Sequence, residues 1–122
     1  MKKISNVFNI NRIAKALGFA LSGIKTIFLE EIAFKQEILI TLFIIPLGLY
    51  FGTTAIEKAT LISCWFLVLI MEAVNSAIEA VVDRISLEKH PLSKKIKDVS
   101  SATVLLTILN AVIVWIIILK DK

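Results

Sequence analysis

Five polar residues, Glu72, Asn75, Ser76, Glu79 and Asp83, interrupt a run of Ala, Val and Ile. Their spacing of i, i+3, i+4, i+7 and i+11 places them on a helix as one stripe about 100° wide. A carboxylate at the apolar end of such a stripe is costly in lipid unless it has a task or a partner. Glu72 holds that position and suits a general acid or base. Glu79 and Asp83, nearer water, suit a hard cation such as Mg²⁺. The stripe therefore permits a division of labour, with metal and phosphates on the water side and a reacting hydroxyl on the apolar side. The structural alternative is that Glu72 and Glu79 pair with Lys or Arg of neighbouring helices and only fix packing. Spacing alone leaves both readings open.

Other charges lie where they could join this stripe. Glu31, Lys35, Gln36 and Glu37 precede the first apolar run, and Lys97 and Asp98 precede the last. Taken singly, each is an ordinary solvated boundary residue. His90 is the only histidine and sits before Pro91 in a polar connection. The four glycines, Gly18, Gly23, Gly48 and Gly52, cannot build a Walker A or kinase-type phosphate loop. No Gly-x-Ser-x-Gly and no His-Glu-x-x-His occurs. Any nucleotide phosphates must be held by metal, Lys and Arg rather than by a backbone nest.

Membrane helices must position these groups. The chain has 122 residues, 57% of them hydrophobic, which is too apolar for a soluble domain and short enough for a single domain. Its net charge of +4 points to anionic lipid headgroups rather than nucleic acid in so apolar a chain. Cys64, the single cysteine, excludes a disulfide framework and reads as a packing residue. Apolar stretches predict membrane helices over 38–56, 59–83 and 99–119, since about 20 residues cross a hydrocarbon core. Glu72 then lies about 20 Å along the second helix, near the inner boundary of the hydrocarbon, and Glu79 about 10 Å closer to the cytoplasm. Pro46 predicts a kink in the first helix, and Phe51-Gly52-Thr53-Thr54 reads as the turn that leaves it.

The 14 Lys and Arg residues divide as six before Ile38, one at Lys58, five between Asp83 and Asp98, and two at the C-terminus. The positive-inside rule places the N-terminus and the second loop in the cytoplasm and the C-terminus outside. Met1-Lys2-Lys3 is followed by neither an apolar run nor a cleavage site, so no signal peptide is expected. Trp115 fits an interfacial position, whereas Trp65 lies deeper and reads as packing.

Residues 12–31 form a fourth helix of another kind. Ile13, Leu17, Ala20, Leu21, Ile24, Ile27 and Phe28 fall on one arc, with Arg12, Lys15, Ser22 and Thr26 opposite and Lys25 at the margin. This amphipathic pattern suits the cytoplasmic membrane surface, with Asn11 as N-cap. In the last helix Ser100, Thr103, Thr107 and Asn110 share a face that favours helix–helix contact. Three membrane helices can hardly enclose a site unaided, so an oligomeric bundle is expected.

At Glu31-Ile32-Ala33-Phe34-Lys35-Gln36-Glu37, at Glu72 through Arg84, and at Lys97-Asp98 with Ser101-Ala102, the chain resembles the prokaryotic diacylglycerol kinase family. The resemblance runs from about Arg12 to Leu119. It implies one kinase domain over residues 1–122, an all-α membrane fold with three transmembrane helices and a surface helix, and a homotrimer with shared active sites in the bacterial inner membrane. It implies transfer of the ATP γ-phosphate to the primary hydroxyl of diacylglycerol, with Mg²⁺, to give phosphatidic acid at the cytoplasmic face. Glu72 then matches the catalytic base, supported by Asn75 and Asp83, and Glu31 and Glu79 match the metal carboxylates. Arg12, Glu88, His90, Lys97 and Asp98 match nucleotide contacts, as does Phe19, which stands where some members carry tyrosine. Arg12, Ala16, Gly18, Lys25, Phe34, Gln36, Glu37, Glu72 and Ser101 match positions near the lipid substrate. His90-Pro91-Leu92 is similar to the branch that phosphorylates undecaprenol, whereas Ala33 through Glu37 and Asp83-Arg84-Ile85 are similar to the diacylglycerol branch. Outside the family, a small oligomeric membrane assembly factor or pore would carry comparable acids. Clustering of the acids toward one membrane face argues against a pore.

Overall fold

The computed structural model describes residues 7–122, so Lys2, Lys3 and the region bearing on a signal peptide lie outside the described residues. Four helices follow one another: α1 (Ile10–Glu30), α2 (Ile32–Phe51), α3 (Ala55–Ile85) and α4 (Pro91–Lys120), with no strand among the described residues. The last three are long and apolar enough to cross a membrane. The expected all-α architecture is therefore present, with helix ends that differ from the limits of the apolar runs. α2 begins at Ile32 and α4 at Pro91, because Phe34 to Glu37 and Ser93 to Asp98 continue the backbone ladder whatever their polarity. α2 is helical on both sides of Pro46.

Capping chemistry sets each boundary. Asn9, not Asn11, caps α1: its backbone is extended, and its side chain accepts the Asn11 N–H at 3.0 Å. Glu31 alone separates α1 from α2. It is extended, closes α1 through its N–H to Ile27 O, and opens α2 without a side-chain capping bond. Thr54 and Glu57 form a capping box on α3. His90 caps α4, its Nδ1 accepting the Leu92 N–H at 3.1 Å, with Pro91 at the first helical position.

α3 is the central helix, packed against α4 on one side and α2 on the other. Leu61 and Val68 on α3 are fully buried, and Cys64, Val68 and Ala111 form a core with Trp65, Ile108, Val114 and Trp115 around it. Trp115 packs on this core and donates its indole N–H to Leu61 O at 3.1 Å. At the end of the bundle where α4 finishes, Lys122 donates to both Glu57 carboxylate oxygens and to the Thr53 hydroxyl. That clasp places the α2–α3 turn and the end of α4 together. The start of α2, the end of α3 and the start of α4 therefore share the opposite end.

The apolar face of α1 has no partner among the described residues: Ile13, Leu17, Leu21 and Ile24 are all exposed. That is the arrangement a surface helix needs in order to bury its face in lipid.

Gly52 makes the α2–α3 turn possible by leaving room for backbone. A Cβ there would lie 2.8 Å from Lys58 N and 2.9 Å from Gly48 O. Gly52→Ala should therefore destabilise the fold by about 1–3 kcal/mol, the range of an overpacked site. Thermal unfolding in detergent checks this; an unchanged midpoint would show that the turn relaxes freely.

Candidate active site

The acidic stripe of α3 faces the other helices as its spacing requires. Glu72 and Asn75 are buried, Glu79 is half-buried, and Asp83 emerges at the helix end. α2 brings a second carboxyl to the same place. Glu37 is 9% exposed and Glu72 8% exposed, and the two interact directly across the α2–α3 seam. Glu37 Oε2 has no hydrogen-bond partner. Glu31 and Glu79 lie within electrostatic reach of Glu72.

No base neutralises these groups. The ion pairs among the described residues are Lys94–Asp98, Lys97–Asp83 and Lys122–Glu57. Neither Glu72 nor Glu79 pairs with Lys or Arg, so the alternative in which they only fix packing by ion pairing fails within this chain. Glu37 lies against Glu72, and Glu31 and Glu79 lie further off within electrostatic reach, so this end of the bundle carries an excess of carboxylate over ammonium among the described residues.

Asn75 is held from both sides. Ser100 on α4 donates to Asn75 Oδ1 at 2.6 Å, and Asn75 Nδ2 donates to Glu79 Oε1 at 3.2 Å. With its Oδ1 occupied, the amide turns its N–H toward Glu79 and orients that carboxylate. Ser100 is nearly fully buried, whereas neighbouring Ser101 is exposed. Ser100 was legible only as part of a polar face with Thr103, Thr107 and Asn110. Thr103 and Thr107 instead bond back to Ser100 O and Val104 O of their own helix, and Asn110 is exposed.

The stripe opens into two cavities. One, about 600 Å³, lies between α1 and α3 and is lined by Phe19, Ser22, Thr26, Glu31, Glu79 and Asp83 among others. The second, about 750 Å³, lies in the α3–α4 connection and is lined by Asp83, Glu88, His90, Lys94, Lys97 and Asp98 among others. Lys97 donates to Asp83 Oδ1 at 2.7 Å and so joins the second cavity to the stripe. Asp98 accepts from Lys94 at 2.6 Å. Lys89 and Lys94 also line this cavity, and sequence reasoning singled out neither; Lys94 is the one paired with Asp98. Its signal was its position one turn before Asp98.

The remaining sequence-derived positions divide plainly. Phe34 is buried at the start of α2, and Gln36 is exposed beside Glu37. Arg12, Ala16, Gly18 and Lys25 are exposed on α1 and line neither cavity within the single chain.

Comparison with known proteins identifies the family. Residues 18–119 match the family model described as prokaryotic diacylglycerol kinase. The diacylglycerol kinase of Escherichia coli (strain K12) is 44% identical over 115 residues, 94% of each chain. That of Pseudomonas aeruginosa is 41% identical over 110 residues, 90% of this chain and 89% of the relative. That of Helicobacter pylori (strain 26695) is 38% identical over 104 residues, 85% of this chain and 81% of the relative. A family of kinases displaces the assembly-factor and pore readings. With its carboxylates gathered at one end of three helices of membrane-crossing length, this chain belongs to the prokaryotic diacylglycerol kinase family and is a multi-pass membrane kinase.

Proposed function

We propose that this chain transfers the γ-phosphate of ATP to the primary hydroxyl of diacylglycerol, giving phosphatidic acid at the cytoplasmic face of the bacterial inner membrane. The observation that carries the reading is the order of groups along α3. A buried, unpaired Glu72 stands at the apolar end, and Asn75, Glu79 and Asp83 lead from it to a cavity with Lys94 and Lys97. A lipid hydroxyl arrives from the apolar side and nucleotide phosphates from the wet side, so the two meet at the stripe. Relatives at 38–44% identity named diacylglycerol kinase support the choice of lipid.

Glu72 accepts the proton of the attacking hydroxyl as its oxygen bonds to the γ-phosphorus and the bond from that phosphorus to the bridging oxygen breaks, releasing ADP, and Glu37 lines the same dry end. Burial makes Glu72 effective, because its carboxylate has no ion pair to give up. Asn75, fixed by Ser100, orients Glu79. Lys94 and Lys97 present positive charge to phosphate oxygens in the α3–α4 cavity, and His90 and Glu88 line its rim. Arg12 and Phe19, on α1, complete the nucleotide contacts, while Ala16, Gly18, Lys25, Phe34, Gln36 and Ser101 flank the lipid.

Glu31 and Glu79 are the residues that would hold Mg²⁺. The donor set fits: both are oxygen ligands, neither has an ammonium partner, and Glu31 has no capping bond that would occupy its carboxylate. Among the described residues no three side chains already form a metal cage. That suits Mg²⁺, which is bound through one or two carboxylates together with phosphates and water. When bound, it neutralises charge on the transferring phosphoryl group.

A trimer with sites completed by neighbouring subunits accounts for two features of the single chain. Asn110 stands exposed in the middle of α4, where lipid is an unfavourable partner, and Arg12, Ala16, Gly18 and Lys25 reach no cavity of their own chain. The N-terminus faces the cytoplasm and the C-terminus the outside, by the distribution of Lys and Arg.

A substrate comparison tests the reading. Purified protein in mixed micelles with Mg-ATP should convert diacylglycerol to phosphatidic acid and should phosphorylate undecaprenol at least roughly tenfold more slowly, the discrimination expected of a pocket built for one hydrophobic substrate. Preference for undecaprenol would overturn the substrate assignment.

A further inference from the structure

The seam between α2 and α3 carries both carboxyls of the dry end of the site, Glu37 from α2 and Glu72 from α3. Besides the contact of these two carboxyls with each other, one side-chain hydrogen bond joins the two helices across that seam among the described residues. Trp65 Nε1 on α3 donates to Thr41 Oγ1 on α2 at 2.7 Å. The Thr41 hydroxyl in turn donates to the main-chain carbonyl of Glu37 at 2.6 Å. Thr41 is buried, and both of its functions are used: its proton goes to Glu37 O and a lone pair receives the indole.

The α3–α4 seam is pinned differently. Ser100–Asn75, Lys97–Asp83 and Trp115–Leu61 O fix those helices at three levels. Between α2 and α3 the backbones approach closely at Gly48, where a Cβ would lie 2.9 Å from the apolar Ile62 Cγ1. Apolar contacts resist separation more than sliding. A directional bond between side chains in a region without water sets the register.

The bond is placed to set the register of the carboxyls in particular. Glu37 lies one helical turn from Thr41 on the same face of α2, and Glu72 lies two turns from Trp65 on the same face of α3. We propose that Thr41 and Trp65 are positioning residues for the reaction: their bond fixes α2 against α3 so that Glu37 sits beside Glu72 and Glu72 is aimed at the lipid hydroxyl. Neither residue touches substrate. The proposal rests on Glu72 acting as the base.

The test uses the full-length protein in mixed micelles with Mg-ATP and diacylglycerol. Thr41→Val keeps the volume and removes both bonds, Thr41→Ser keeps them, and Trp65→Phe removes the indole donor alone. Thr41→Val should lower kcat roughly three- to tenfold, the range one intramembrane hydrogen bond can supply, with KM for ATP unchanged. Thr41→Ser should restore the rate to within roughly twofold of the parent. Trp65→Phe should reproduce the loss, and the double variant should lose no more than either single one. Wild-type kcat in Thr41→Val or Trp65→Phe, additive losses, failure of Thr41→Ser to rescue, or a rise in KM for ATP that matches the fall in kcat would overturn the proposal. If Thr41→Val does not fold, Trp65→Phe and Thr41→Ser carry the test. Glu72→Gln in the same assay separates the two levels: an active Glu72→Gln removes the base assignment, whereas an inactive one beside an unimpaired Thr41→Val removes only the positioning role.

Discussion

Glu72→Gln should abolish lipid phosphorylation while leaving a folded membrane protein. Loss of a general base costs about 10²- to 10⁴-fold in rate, so kcat should fall at least a hundredfold. The substitution keeps the shape of the side chain and removes only its capacity to accept a proton. Folding should not suffer, because Glu72 makes no ion pair among the described residues and stands close to Glu37, Glu31 and Glu79. Neutralising one member of a cluster of like charges relieves repulsion. The expected pattern is therefore a large fall in kcat, a KM for ATP within a few-fold of the parent, and an unfolding midpoint equal or higher. Initial rates, nucleotide titration and thermal unfolding in the same micelles measure all three. Near-normal turnover would mean that another group removes the proton. A collapsed midpoint would mean that Glu72 is a structural residue.

Much of this arrangement was legible in the sequence because the strongest signals lie within single helices. The apolar runs identified all three long helices, and the period of Ile13, Leu17, Leu21 and Ile24 identified α1 as amphipathic. The stripe from Glu72 to Asp83 needed only helical spacing. The features that escaped depend on two helices at once. Ser100 rather than Ser101 meets Asn75 because of how α4 is rotated against α3, which spacing along α4 does not fix. The bond from the Trp115 indole to Leu61 O likewise joins α4 to α3 and has no signal within α4 alone. The Trp65–Thr41 bond joins residues on different helices; Trp65 alone reads as packing, and Thr41 alone carries no signal. Caps also escaped, because the backbone angle that makes Asn9 rather than Asn11 the N-cap is set by the preceding chain. Glu31 had been placed inside α1, and its single extended residue between α1 and α2 is what turns its carboxylate out of both helices.

That position of Glu31 leads to the second large effect. The main chain of Glu31, between the end of one helix and the start of the next, is fixed on both sides, through its N–H to Ile27 O and its carbonyl to Lys35 N–H. Glu79 is oriented by Asn75, which Ser100 orients in turn. Two carboxylates without an ammonium partner among the described residues would supply two oxygen ligands to a Mg²⁺ ion whose remaining ligands come from phosphate and water. Glu31→Gln and Glu79→Gln should each lower kcat about a hundredfold or more at low millimolar Mg²⁺, the scale of losing one electrostatic contact to a developing charge. Each should also raise the Mg²⁺ concentration needed for half-maximal rate, so that part of the loss returns as Mg²⁺ is raised. Glu72→Gln should show no such recovery, because the missing proton acceptor is not replaced by a cation. Chelation of Mg²⁺ should stop turnover in the parent without unfolding it, since the four helices are held by packing and hydrogen bonds that use no metal. Rates measured across a Mg²⁺ series for the three variants distinguish the roles. If Glu31→Gln and Glu79→Gln leave the Mg²⁺ dependence unchanged, these carboxylates are not the metal ligands, and their unpaired charge needs another explanation.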